Sequence, residues 1–139
     1  MNAHAQDAVT GVVLDAAFLL DMVAAFRVEH EVLTDRWSRQ AVTVNVPQTE
    51  LVLVERRRPG QARVALGSLH ARCGPSVMVR ALDLAAVGAL GEAMRRHRLT
   101  DLALAHTVAL AAPPGWTVYT AAAERYLRLG DVVDVFSLA

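Results

Sequence analysis

The sequence predicts an α/β fold: a three-layer α/β/α sandwich around a mostly parallel central sheet. Three observations lead there. Five short β-rich runs alternate with stretches long enough for one or two helices, giving the order β-α-α-β-α-α-β-α-α-β-α-β. The first run, "GVVLD" over 11–15, is apolar up to its closing acid, as in a strand covered on both faces. Hydrophobic residues make up 54% of the 139 positions, enough for one domain with a packed core. Only 5% are aromatic, so Ala, Val and Leu must build that core.

Each element has its own signal. Residues 1–9 read as a flexible leader, and 10–139 as one domain. Apolar side chains at 19, 20, 23 and 26 have helical spacing over 16–28, and Val32, Leu33 and Trp37 mark one side of a second helix over 29–40. "AVTVNVP", 41–47, alternates and stops at a proline, which predicts a strand. Pro47 and the Glu and Arg content of "QTELVLVERRR", 48–58, favour a helix, broken by Pro59-Gly60. A helix over 61–72 follows, then Gly74-Pro75, a strand over 76–82, and a helix over 83–97 that Asp83 caps and arginines close. Gly88 and Gly91 within it read as close-packing positions. Residues 99–112 read as a helix capped by Thr100; then come "WTVYT" (116–120) as a strand, a helix over 122–130 closed by Gly130, and a last strand over 132–138.

Composition excludes several function classes. Fourteen basic residues, all Arg, balance 14 acids, so no global field draws the chain onto nucleic acid or a membrane, and any such binding needs a local patch. Cys73 is the only cysteine, which rules out an intramolecular disulfide and a multi-thiolate zinc site. The opening "MNAHAQDAVTG" does not read as a signal peptide, and no apolar run reaches the ~20 residues of a membrane span. The expectation is a cytoplasmic protein without membrane contact. No phosphate loop, GxGxxG or nucleophile elbow is present. His106 lies five residues after Asp101, off its helical face, and reads as a buried histidine rather than a ligand.

Three acids stand at suggestive places. Asp15 closes the first strand, Glu50 opens the helix after the second, and Asp101 lies near the start of the helix before "WTVYT". In a doubly wound sheet, function gathers at the carboxyl ends of the strands, where all three can converge. Clustered carboxylates persist mainly when a hard cation neutralises them, and oxygen ligands favour Mg²⁺ or Mn²⁺. The plainer alternative is a helix-capping role for Asp101 and a solvated first-turn role for Glu50. Asp15 is harder to explain that way, because its flanks are apolar on both sides. Arg56, Arg57 and Arg58 beside Glu50, and Arg95, Arg96 and Arg98 before Asp101, can meet RNA phosphates at the mouth of such a crevice, or simply be solvated.

In order and spacing these pieces resemble the PIN-domain family, the fold of VapC-type toxins and related metal-dependent ribonucleases. "VVLDAAFLL" is similar to its opening strand and aspartate, "VTVNVPQTELVLVERR" to its second strand and acid-bearing helix, and "HRLTDLALAHTVALA" to its aspartate-bearing helix. "GWTVYTAAAERYLRLG" is similar to its fourth strand ending in threonine, and "VVDVFSL" to its closing strand. The resemblance implies an Mg²⁺- or Mn²⁺-dependent endoribonuclease with Asp15, Glu50 and Asp101 as catalytic and metal-ligating residues. Arg56, Arg57, Arg98 and Thr120 then meet the RNA. It also implies an antitoxin partner and a homodimer.

The chain departs from the family pattern at three places. Ala16 and Ala17 stand where the family has a small hydroxyl or amide residue, and Ala122 stands in the slot of a further aspartate. Leu53 holds the usual position of the helix glutamate, with Glu50 and Glu55 flanking it. Fewer carboxylates bind a divalent ion weakly, so the expectation is a weakened nuclease site or, alternatively, a catalytically inactive RNA- or protein-binding module.

Overall fold

A computed structural model of the chain describes residues 10–138. The expected leader over 1–9 lies outside the described residues. The elements, in chain order, are β1 (Gly11–Leu14), α1 (Ala16–Ala24), α2 (Val28–Arg39), β2 (Thr43–Pro47), α3 (Gln48–Arg57), α4 (Gln61–Cys73), β3 (Val77–Arg80), α5 (Leu84–His97), α6 (Leu102–Ala111), β4 (Thr117–Thr120) and β5 (Asp134–Ser137). A 3₁₀ turn at Gly74–Ser76 leads into β3, and a 3₁₀ segment, Ala123–Val132, connects β4 to β5.

The strands form one five-stranded sheet in the order β3-β2-β1-β4-β5, and every neighbouring pair is parallel. β1 is central, and its four residues are buried because helices cover both faces. Alternate side chains feed opposite layers. Val12 and Leu14 join Phe18, Leu19, Trp37 and Val54 on the side of α1–α4. Val13 joins Leu90, Leu104, Val108 and Tyr126 on the side of α5, α6 and the 3₁₀ segment. The two cores make the expected three layers. Gly11 starts β1 where only a glycine fits, since a Cβ there lies 2.6 Å from the Trp116 ring and 2.8 Å from Thr43 Oγ1.

The chain runs outward from β1 to β2 and β3, then returns to β4 on the other side of β1. That reversal puts a crevice at the carboxyl ends of β1 and β4. Asp15 stands at one of these ends and Thr120 at the other.

Four expectations need correction. The segment read as a helix over 122–130 is 3₁₀, wound by bonds such as Arg125 N–H to Ala122 O at 3.1 Å, and Gly130 interrupts it with φ 56° and ψ −123°. The last helix before β4 begins at Leu102, and its cap is Asp101, not Thr100: the Asp101 carboxylate accepts from Leu104 N–H at 3.1 Å. Gly88 and Gly91 do not pack closely, because a Cβ at either position meets open space on the exposed face of α5. Glu50 is not a solvated first-turn acid, since its side chain is wholly buried. Among the described residues, no helix is long and apolar enough to cross a membrane.

Candidate functional site

The turn from β1 into α1 explains why an acid stands in an apolar run. Asp15 is the N-cap of α1, and its Oδ1 accepts from Phe18 N–H at 2.9 Å. Its Oδ2 accepts from the Tyr126 hydroxyl at 2.7 Å. Thr120, at the end of β4, donates a further hydrogen bond to the carboxylate while its own oxygen accepts from Ala122 N–H at 2.9 Å. Burial dominates all the same and raises the Asp15 pKa above the ordinary carboxylate range. The bonds from Thr120, Tyr126 and Phe18 oppose that rise, and the negative charge of Glu50 adds to it.

Glu50 sits in the first turn of α3, directly after the proline that ends β2. Its Oε1 accepts from Ala16 N–H at 2.8 Å and from Arg125 Nη1 at 2.8 Å. Its Oε2 accepts from the Thr107 hydroxyl at 3.0 Å and from Arg125 Nη2 at 2.9 Å. A carboxylate has about four acceptor positions, so Glu50 is saturated. Glu55, the other acid of α3, is engaged elsewhere: it accepts from the backbone N–H of Gly60 at 2.6 Å.

The residue that gathers the acids is Arg125, from the 3₁₀ segment. Its planar fork takes both Glu50 oxygens, the bidentate geometry that guanidinium favours. Nη1 also lies 3.5 Å from Asp15 Oδ2, and Nη2 lies 3.7 Å from Asp101 Oδ2. Burial disfavours the charge on Arg125. The hydrogen bonds and charge of Glu50, with the nearby Asp15, outweigh that and raise its pKa, so it is a permanent cation. Tyr126 stays a phenol, its pKa raised by burial and by the charge of Asp15.

Asp15, Glu50 and Asp101 therefore do meet at one rim, around a guanidinium. A divalent metal at these acids does not fit this arrangement. Glu50 has no acceptor position left, Asp101 spends one oxygen on its helix cap, and Arg125 stands among the three. Among the described residues, no group of three or more His, Cys, Asp or Glu side chains is placed to hold a metal ion.

The residues expected at the RNA are divided. Arg56 and Arg57, joined by Arg58 and Arg125, line an open groove of about 840 Å³ beside the crevice, over a floor that includes Leu20 and Leu53. Arg98 is exposed at the C-terminal cap of α5 and does not line that groove. Thr120 is wholly buried, with its hydroxyl committed to Asp15 and Ala122. His106 is buried as expected, with Nδ1 2.8 Å from Thr49 Oγ1; burial lowers its pKa against the nearby charges of Glu50 and Asp83. Arg125 and Tyr126 escape the sequence reading. No local pattern marks them, because the acids they meet, Glu50 and Asp15, lie 75 and 111 residues away in sequence.

A chain of the crystal structure of VapBC2 from Rickettsia felis bound to a DNA fragment from their promoter shares this fold, with a TM-score of 0.71. The fold is PIN-like. The match covers 94% of this chain and 100% of that one at 9% identity, and at that identity the likeness speaks for the fold alone. No protein-family model matches the chain, and no curated sequence does.

Proposed function

We propose that this chain is a toxin-like subunit with a PIN-like fold that works by holding a partner protein rather than by cutting RNA. The observation that carries this reading is the groove beside the crevice, an arginine rim above an aliphatic floor. Arg56, Arg57 and Arg58 are exposed, and no carboxylate among the described residues pairs with them. The groove's one acid, Asp21, is already paired with Arg27 at 2.7 Å. Ala16, Ala17, Leu20, Ala24 and Leu53 supply the apolar surface, and no aromatic side chain in the lining offers a base-stacking platform. Such a surface suits a polypeptide segment that carries both acidic and aliphatic side chains. A VapBC2-like pairing, in which such a segment belongs to an antitoxin, is consistent with the fold match. The saturated Glu50 and the guanidinium among the acids support a role without hydrolysis.

A second reading has its own observation. Asp15, Glu50 and Asp101 converge, as a Mg²⁺- or Mn²⁺-dependent endoribonuclease requires, and that activity demands that Arg125 withdraw.

Fluorescence anisotropy separates the two. The probes are labelled peptides with Glu and Leu at helical spacing, and single-stranded RNA of mixed sequence. The binding reading expects peptide affinity that falls about tenfold in Arg57→Glu, and no Mn²⁺-dependent RNA cleavage. Cleavage that needs Mn²⁺ and is lost in Asp15→Asn, without peptide binding, overturns it in favour of the nuclease. RNA binding without cleavage or peptide affinity overturns the choice of a protein partner.

A further inference from the structure

We infer that Arg125 is the resident cation of this site: a guanidinium built into the chain stands where clustered carboxylates otherwise take a divalent metal. The inference rests on the geometry around Arg125 and goes beyond the docking reading, which concerns the outer groove.

The cation is placed by covalent structure. Thr120 ends β4 against Asp15, and the 3₁₀ winding that starts at Ala122 brings residues 125 and 126 back over the strand ends. Both of these residues then reach the acids, Tyr126 donating to Asp15 Oδ2 at 2.7 Å and Arg125 gripping Glu50 through both nitrogens at 2.8 and 2.9 Å. Arg125 is itself largely buried, with 18% of its side chain exposed, while the Asp15 and Glu50 side chains are fully buried. Two carboxylates so close in a dry setting repel each other unless a cation lies between them.

The space left by removing Arg125 is therefore a cation site, with a planar fork as its best occupant. Thermal melts of the full chain test this. Wild type is expected to melt at the same temperature with and without millimolar MnCl₂, because no acceptor position on Glu50 is free. Arg125→Ala is expected to melt about 10 °C lower. Methylguanidinium at tens of millimolar raises that midpoint, while tetramethylammonium at the same concentration does not. Should Arg125→Ala fail to fold on expression, its refolding yield from denaturant with and without methylguanidinium carries the same test.

Three results overturn the inference: a wild-type midpoint that rises with Mn²⁺, an Arg125→Ala midpoint equal to that of wild type, or a variant that methylguanidinium does not restore. Loss of peptide affinity in Arg57→Glu bears on the groove and leaves these melts unaffected, so the two readings fail separately.

Discussion

Two arginines in this molecule each grip a carboxylate with both nitrogens, and they do different work. Arg27 meets Asp21 at 2.7 and 3.2 Å where α1 turns into α2, and its backbone N–H donates to His30 Nδ1 at 3.0 Å. That bond makes Nδ1 an acceptor, so the proton lies on Nε2, which donates to Asp21 Oδ2 at 2.9 Å. Arg27 is 38% exposed and Asp21 24%, so water screens the pair. Arg125 is 18% exposed against two carboxylates with no exposure at all. The hydrogen-bond geometry is nearly the same, and each arginine has more than one acid nearby, Glu29 lying 3.5 Å from Arg27, but the two carboxylates that Arg125 meets at 2.8 and 3.5 Å are shut away from water. The first arrangement is a brace at a helix corner. The second is an electrostatic keystone, and the comparison teaches that burial, more than contact distance, separates a brace from a site.

The largest effect that sharpens this contrast comes from deleting each arginine in turn. Removing one partner of a buried ion pair leaves an uncompensated charge, so Arg125→Ala is expected to destabilise by about 3–5 kcal/mol. Arg27→Ala, at a screened pair, is expected to cost about 1 kcal/mol or less. Urea unfolding of both variants measures the difference, and equal losses break the comparison.

A smaller effect distinguishes the acids by pH. Burial raises the folded-state pKa of Asp15 above its ordinary value of 3.8. The native state then binds a proton more tightly than the unfolded chain, and stability falls as pH rises through the folded pKa. The Asp15 contribution is therefore fully present below the unfolded pKa and is lost as pH rises through the folded one. Asp15→Asn, which cannot ionise, is expected to gain on wild type as pH is raised above 3.8, until the folded-state pKa of Asp15 is passed. Melting temperatures of the two proteins across that window check the slope, and a difference that is flat or opposite in sign places the raised pKa in doubt.

The fold was legible because its signals are local. Apolar strand runs, Pro59-Gly60 and Gly74-Pro75 as punctuation, and Asp83 as a cap each act within a few residues. The acids were legible because Asp15 had no plain structural excuse for its place. Even so, the carboxylate that closes an apolar strand turned out to cap α1, and its second oxygen turned out to face Tyr126 and Arg125. The cation was not legible. Arg125 lies 75 residues from Glu50, in a stretch that reads as an ordinary helix, and no pattern within "AAAERYLRLG" distinguishes an arginine facing solvent from one folded back over a sheet. Its role is set by tertiary placement: the 3₁₀ winding turns it inward, and that winding depends on where β4 and β5 are fixed. Arg98 shows the reverse case, a basic residue near Asp101 in sequence that the left-handed cap of α5, with φ 54°, leaves outside the groove.

The most direct measurement is anomalous diffraction at the manganese edge from crystals soaked in Mn²⁺. The account predicts no anomalous peak among Asp15, Glu50 and Asp101, and Arg125 still seated across both Glu50 oxygens. A peak bonded to Asp15 and Glu50 with the Arg125 side chain swung into solvent contradicts it.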